Sequence, residues 1–282
     1  MEWLIALGII IIIWILMIWP ADYIKEDKEK LRKYLYAHRG LHSKEKKIPE
    51  NSLAAFDAAC EAGYGSELDI HFSKDKQIVV FHDDTLKRMC GADVRVDDLT
   101  YEEMQEYTLD GTDQKIPLFT EVLDLVNGRT PLVVELKNTK MYKELVEETN
   151  KILNNYKGDF CIESFNPMIV RKYAKTNPMV HRGLLVANHV RSKSLNFFLG
   201  FAIQEMLFNF IARPQFIACH HGALSMWGVK IVRFLFKPVM ATWTIVNEEQ
   251  YEKVKDLDII IFEQFLPDPT RPELKETKKK KK

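Results

Sequence analysis

Gly65-Ser66-Glu67-Leu68-Asp69-Ile70-His71-Phe72-Ser73-Lys74-Asp75-Lys76-Gln77-Ile78-Val79-Val80-Phe81-His82-Asp83 contains two β-rich apolar runs, Gly65 to Ile70 and Ile78 to Phe81, with very little chain between them. A crossover between parallel strands takes about a dozen residues or more, so these two runs must form a hairpin. A turn centred on Lys74-Asp75-Lys76-Gln77 would set Asp69 opposite His82. Seven further runs occur along the chain: Tyr34 to Ala37, Leu132 to Leu136, Phe160 to Glu163, Gly183 to Val186, Phe216 to Cys219, Val239 to Ile245 and Leu257 to Phe262. Helix-like segments such as Ser52 to Glu61, behind an Asn51 cap, and Tyr142 to Asn154 separate most of them. Once Ile78 to Phe81 is taken as a hairpin arm, eight strands remain in alternation with helices. That pattern predicts an α/β fold, the eight-stranded parallel TIM (β/α)8 barrel, over residues 34–267. Residues 84–115 fit no βα unit and read as a small insertion beside the barrel mouth.

The bulk composition fits one large folded domain or two small ones. The chain has 282 residues, 46% of them hydrophobic, enough for a substantial core. Forty basic residues balance forty acidic ones, and this neutrality gives no sign of a nucleic-acid partner. Cys60, Cys90, Cys161 and Cys219 are widely spaced, which suits buried single thiols and indicates neither a disulfide framework nor a zinc site.

Trp3 to Ala21 contains no charged side chain. As a helix these 19 residues would span about 28 Å, close to the thickness of a bilayer core. A signal peptide is the competing reading, but no basic stretch precedes the apolar run and no clear small-x-small cleavage site follows it, so residues 1–22 are expected to form a single transmembrane anchor, followed by a juxtamembrane linker over residues 23–33. Lys25, Lys28, Lys30, Arg32 and Lys33 follow the segment and no Lys or Arg precedes it, which would place the C-terminal bulk in the cytoplasm. Trp14, Trp19 and Tyr23 suit interfacial anchoring. A basic, disordered tail is expected over residues 268–282, ending in Lys278 to Lys282, either simply solvated or tethered to anionic lipid. Leu195 to Ala212, rich in phenylalanine and flanked by Arg191, Lys193 and Arg213, reads either as a buried barrel helix or as one lying in a membrane interface. With the anchor it would seat the barrel mouth against the membrane.

Active sites of such barrels lie at the C-terminal ends of the strands. Polar residues recur there: His38-Arg39, Glu67 and Asp69, Glu135 and Lys137, Glu163, His220-His221, Trp243 and Glu263. Glu67 and Asp69 are two apart on a strand and so share a face, and Glu135 and Lys137 repeat the arrangement. Three carboxylates turned into one mouth repel each other unless a hard cation sits between them, so Mg²⁺ or Ca²⁺ is expected at Glu67, Asp69 and Glu135. A metal-free network with Arg39 and Lys137 is the alternative.

In order along the chain stand His38-Arg39-Gly40, Pro49-Glu50-Asn51-Ser52, Glu67-Leu68-Asp69, Val79-Val80-Phe81-His82-Asp83, Ile116-Pro117-Leu118 and Val134-Glu135-Leu136-Lys137, with weaker matches at Ser164-Phe165 and Trp243-Thr244. This series resembles the glycerophosphodiester phosphodiesterase family. The resemblance implies a TIM barrel, a divalent cation on Glu67, Asp69 and Glu135, and His38 and His82 as general acid and base. It implies phosphodiester hydrolysis, with Arg39 and Lys137 neutralising the substrate's charge. Trp243 would contact the glycerol or alcohol part, and Glu50 would support metal or substrate unless it caps the helix beginning near Asn51. His42, His71, His181 and His189 have no assignable partner. Ile260-Ile261-Phe262-Glu263 departs from the family's usual aspartate ending, leaving the role of Glu263 open. The substrate implied is a glycerophosphodiester, with a membrane lysophospholipid, cleaved as by a lysophospholipase D, as the alternative. A non-catalytic membrane scaffold is the reading from another class.

Overall fold

The computed structural model describes residues 2–22, 25–187 and 197–271. Its sheet has nine strands: β1 (Tyr36–Ala37), β2 (Gly65–Phe72), β3 (Ile78–Val80), β4 (Leu132–Leu136), β5 (Phe160–Ser164), β6 (Arg182–Val186), β7 (Phe216–His220), β8 (Val239–Ile245) and β9 (Ile259–Phe262). Eight pair in parallel in the order β1-β9-β8-β7-β6-β5-β4-β2, and β1 pairs with β2 to close the ring. β3 alone runs antiparallel, as an arm on β2. The expected barrel and its hairpin are both present. The ring closes because both faces of each strand have apolar neighbours. Tyr36, Val133, Cys161, Phe216, Ala241 and Ile261 belong to one buried cluster, while Leu68, Val134, Leu136 and Ile162 pack with helix residues such as Val122 and Leu145 in another.

The hairpin register differs from expectation by one residue. Ile70 faces Val80 and Phe72 faces Ile78, and the Phe81 amide donates to the Asp69 carbonyl, so Asp69 lies opposite Phe81 rather than His82. The cause is the turn. Ser73 and Gln77 close a loop of three residues, in which Lys76 adopts φ +61° and the Ser73 hydroxyl accepts from the Gln77 amide. A left-handed lysine gives no signal of the kind that glycine would. Residues 84–115 fold beside this arm. Leu86, Met89, Val96, Met104 and Leu109 build a small apolar cluster of their own on Val79 and Phe81.

The expected membrane span is not realised as such. The apolar segment forms a helix over Glu2–Ile18, 17 residues long. Among the described residues no helix is long and apolar enough to cross a membrane. Pro20 lies just beyond the helix end, and the chain there docks onto the barrel. Ile18 is fully buried, its carbonyl accepts from the Asn209 amide side chain, the Ala21 amide donates to the Pro214 carbonyl, and Trp19 stacks on Phe236.

The expected single helix from Leu195 to Ala212 is also divided, into Phe197–Gln204 and Asn209–Ala212. Between them the Met206 amide bonds the Ile203 carbonyl and the Leu207 amide the Ala202 carbonyl, with Met206 at φ +61°, a left-handed helix stop. Leu195, Arg191, Lys193, His189, Tyr23 and the tail from residue 272, Lys278 to Lys282 included, lie outside the described residues.

Candidate active site

The loop after β1 is shaped by backbone requirements. Arg39 and Gly40 both have positive φ, and a Cβ on Gly40 would lie 2.8 Å from the Ala55 backbone. Only glycine lets the helix Leu53–Glu61 approach this closely. The turn aims the Arg39 amide at Glu67 Oε2, 3.0 Å away, and the Arg39 carbonyl accepts from Asn51. Ser52, rather than Asn51, caps the following helix by accepting from the Ala55 amide. Asn51 is thereby freed to donate its side-chain amide to Asp69 Oδ2 at 3.0 Å.

Glu67, Asp69 and Glu135 converge as expected. They are buried, and an oxygen of each lies within 4.8 Å of the others. The β2–β4 register sets Asp69 directly beside Glu135. Lys137 Nζ bridges Asp69 Oδ1 at 3.2 Å and Glu135 Oε1 at 2.9 Å. One ammonium does not balance three acids. Burial, followed by repulsion from Asp69 and Glu135, raises the Glu67 carboxyl well above its ordinary range. Burial also lifts Glu135 to about 7 despite Lys137. Asp69 goes the other way: burial is outweighed by Lys137, His82 and Arg39, which hold it ionised. Three oxygen donors with this surplus of negative charge fit a hard divalent cation.

Each candidate catalytic histidine is held by its own carboxylate. His38 Nδ1 lies 2.5 Å from Glu263 Oε2, and its Nε2 is 3.9 Å from Glu67. His82 Nδ1 lies 2.6 Å from Asp83 Oδ1. Burial lowers both histidines, against the opposing pull of Glu263 on one and of Asp69 and Asp83 on the other. Both rings are therefore biased to the neutral form at neutral pH.

Glu50 neither caps the helix nor joins the three acids. Its carboxylate accepts from Arg39 at 2.7 Å and from both terminal nitrogens of Arg88 at 2.7 and 2.8 Å. Arg88 also grips Asp83 through Nε at 2.7 Å. A continuous chain of charge thus runs from Arg39 through Glu50, Arg88 and Asp83 to His82.

His38, Arg39, Glu67, His82, Glu135, Glu163, Phe165, Leu185, Trp243 and Ile261 line one cavity of about 170 Å³ at the barrel mouth. Trp243 stands edge-on to Phe165 at 5.7 Å and donates its indole N–H to the Ala218 carbonyl. It forms an apolar wall facing the acids. His220 stands edge-on to Trp243 at 5.2 Å and accepts from the Gly222 amide, so it braces this wall and is not among the residues lining the cavity. His71 donates to the His82 carbonyl at 3.1 Å, and His42 lies 3.9 Å from Glu263.

Four participants were outside the sequence-derived site: Glu263, Asp83, Arg88 and Glu163. Glu263 and Glu163 stand at strand ends, and Asp83 and Arg88 follow the hairpin, so position marked them while pairing did not. Glu163 is 1% exposed, and its Oε2 has no hydrogen-bond partner. Burial, reinforced by Glu135 and Asp69, raises its carboxyl well above the ordinary range.

A closed parallel barrel with buried acids and paired imidazoles at its mouth defines a hydrolase-like site built to handle an anion. Residues 38–221 match the model of the glycerophosphoryl diester phosphodiesterase family, and the chain belongs to that family. It is 33% identical to a glycerophosphodiester phosphodiesterase of Caldanaerobacter subterraneus over 168 residues, 55% of this chain and 67% of that one. It is 31% identical to the human lysophospholipase D GDPD1 over 185 residues, 60% of this chain and 57% of that one. Among solved structures, a glycerophosphodiester phosphodiesterase of Thermotoga maritima is similar, with a TM-score of 0.63 and 29% identity, over 81% of this chain and 93% of that one. An Oleispira antarctica phosphodiesterase in complex with its product sn-glycerol-3-phosphate shares the fold, with a TM-score of 0.67 and 21% identity over 81% and 92% of the two chains.

Proposed function

We propose that this protein hydrolyses glycerophosphodiesters to glycerol 3-phosphate and an alcohol. The observation that carries this reading is the meeting of two carboxylate-held imidazoles with Glu67 and Glu135 around one small cavity with an apolar wall, and of Asp69 with those two acids in one buried cluster. Glu67, Asp69 and Glu135 would hold Mg²⁺ or Ca²⁺, which when bound supplies positive charge to a phosphate oxygen. Arg39 and Lys137 add fixed charge around the same anion. One imidazole accepts the proton of the attacking hydroxyl, from water or from the glycerol itself, while the other donates a proton to the departing alkoxide. Glu263 and Asp83 keep the two rings oriented and steady the positive charge that each carries in turn. Trp243 and Phe165 exclude water on the side where the alcohol or glycerol carbons pack.

The exposed apolar helix supports a second reading, lysophospholipase D action at a membrane. Leu4 is 75% and Ile10 62% exposed, and such a surface is stable in acyl chains rather than in water. The helix would hold the barrel at a bilayer, on the cytoplasmic side if the basic residues after it govern orientation. A panel of glycerophosphocholine, glycerophosphoethanolamine and lysophosphatidylcholine in vesicles, each with Mg²⁺, Ca²⁺ or chelator, tests both readings. Cleavage of the first two with cation and none with chelator is the predicted result. Comparable cleavage of lysophosphatidylcholine adds the second reading, and no turnover of any of them defeats both.

A further inference from the structure

The helix Trp227–Phe236 connects β7 to β8 and packs Gly228, Val229 and Val232 inward. Its opposite face is apolar as well. Trp227 is 75% and Phe234 79% exposed; seven residues apart, they lie on one line along the helix. Lys230 sits on the same line, its ammonium 5.8 Å from the centre of the Trp227 ring. From Met226 to Lys237 there are three basic residues, Lys230, Arg233 and Lys237, and no acid. An aromatic stripe edged by lysine and arginine is the composition of a helix lying in the headgroup region of a bilayer.

The position of the stripe ties it to the apolar N-terminal helix. That helix ends against Phe236, where Trp19 stacks at 5.4 Å, and against Pro214, just before β7. These contacts lie at the N-terminal ends of the barrel strands, the end opposite the acids. The anchor by itself would therefore hold the catalytic mouth away from a membrane. Trp227, by contrast, begins its helix shortly after His220 and His221, at the mouth end. The stripe thus runs from the anchor up the side of the barrel to the rim.

We propose that Trp227, Lys230 and Phe234 form a lipid-contact stripe that lays the barrel on its side against an anionic bilayer, bringing the rim of the cavity to the headgroup level. The occupant is a lipid surface because the stripe continues the exposed apolar helix and its charge is wholly basic. This rests on the membrane reading above and specifies which face meets the lipid.

The test uses the full chain with Cys60 and Cys90 replaced by serine and bimane attached at Trp227→Cys, Phe234→Cys or Asp124→Cys. Asp124 is exposed on the helix Phe119–Val126, across the barrel. Each labelled protein is floated with vesicles of phosphatidylcholine and phosphatidylglycerol, with or without bromine on the acyl chains. Bromolipid should quench the label at 227 and at 234 and leave the one at 124 unaffected. In unlabelled protein, Lys230→Gln should weaken partitioning about five-fold, matching about 1 kcal/mol per basic residue near an anionic surface. Protein that floats with the labels at 227 and 234 unquenched would overturn the stripe and leave the anchor intact. Protein that does not float would remove both. Mass doubling without lipid, with the label at 227 shielded in the dimer, would assign the stripe to a second copy and overturn its lipid role.

Discussion

The imidazole of His38 and the carboxylate of Glu263, 225 positions apart in sequence, meet at 2.5 Å where the first and last barrel strands lie side by side. The contact exists only because the barrel closes. Glu263 accepts a hydrogen bond from Nδ1–H of the ring and so leaves Nε2, on the cavity side, to exchange protons. Glu263→Gln keeps the shape and removes the charge that stabilises the protonated ring. Its kcat should fall about 10²-fold, the lower end of what a general acid–base group contributes, with KM nearly unchanged. Glu263→Asp should recover part of the rate. A loss confined to KM would contradict this role.

Arg88 acts at one remove. Its side chain is 46% exposed, and it holds both Glu50 and Asp83. Replacing it by alanine removes ion pairs that at this half-exposed position contribute about 1 kcal/mol or less each, and frees the carboxylate that orients His82. The predicted result is a drop of about ten-fold or more in kcat/KM with little change in melting temperature, measured on the same preparations.

Cation binding should release protons. Glu135 titrates near 7 and Glu67 is raised above its usual range, so near neutrality the cation-free site holds protons that a cation must displace. Apparent affinity for Mg²⁺ or Ca²⁺ should therefore climb as pH rises through about 7. Calorimetric titration in two buffers of different ionisation enthalpy measures the protons released. No release at pH 6.5 would contradict the assignment of these acids as ligands.

Glu163 supplies a stability prediction with a definite sign. Its folded-state carboxyl is raised above the unfolded value, so its contribution is fully present below about pH 4.5 and is lost as pH rises through the folded-state value. Glu163→Gln removes that loss. The variant and the parent should melt alike at pH 4 to 5, and the variant should melt higher at alkaline pH. Equal melting temperatures across the range would show that the carboxyl is not held protonated.

Much of this site was legible because β-strands alternate faces and barrels place chemistry at strand ends. Glu67, Asp69, Glu135 and Lys137 needed only that periodicity and the series of motifs around it. The hairpin was legible from the short connection to Ile78, and its register was not, because Lys76 turns the chain without a glycine to announce it. Pairings across the closed ring, Glu263 with His38 above all, depend on strand neighbours far apart in sequence. The partners of Glu50 were not legible, because it is the loop at Arg39 and Gly40 that aims it at two arginines. The outer face of Trp227–Phe236 carried no mark in the sequence, because Trp227, Phe234 and Leu235 are apolar like Val229 and Val232, which pack inside.

Phosphorus NMR of glycerophosphocholine with the intact protein and cation follows the proposed hydrolysis at the phosphorus itself. If the two imidazoles carry the acid–base chemistry, glycerophosphocholine is converted to glycerol 3-phosphate, stopped by chelator and slowed about 10²- to 10⁴-fold in His38→Ala and in His82→Ala separately. Hydrolysis that persists at the parent rate in either variant would contradict it.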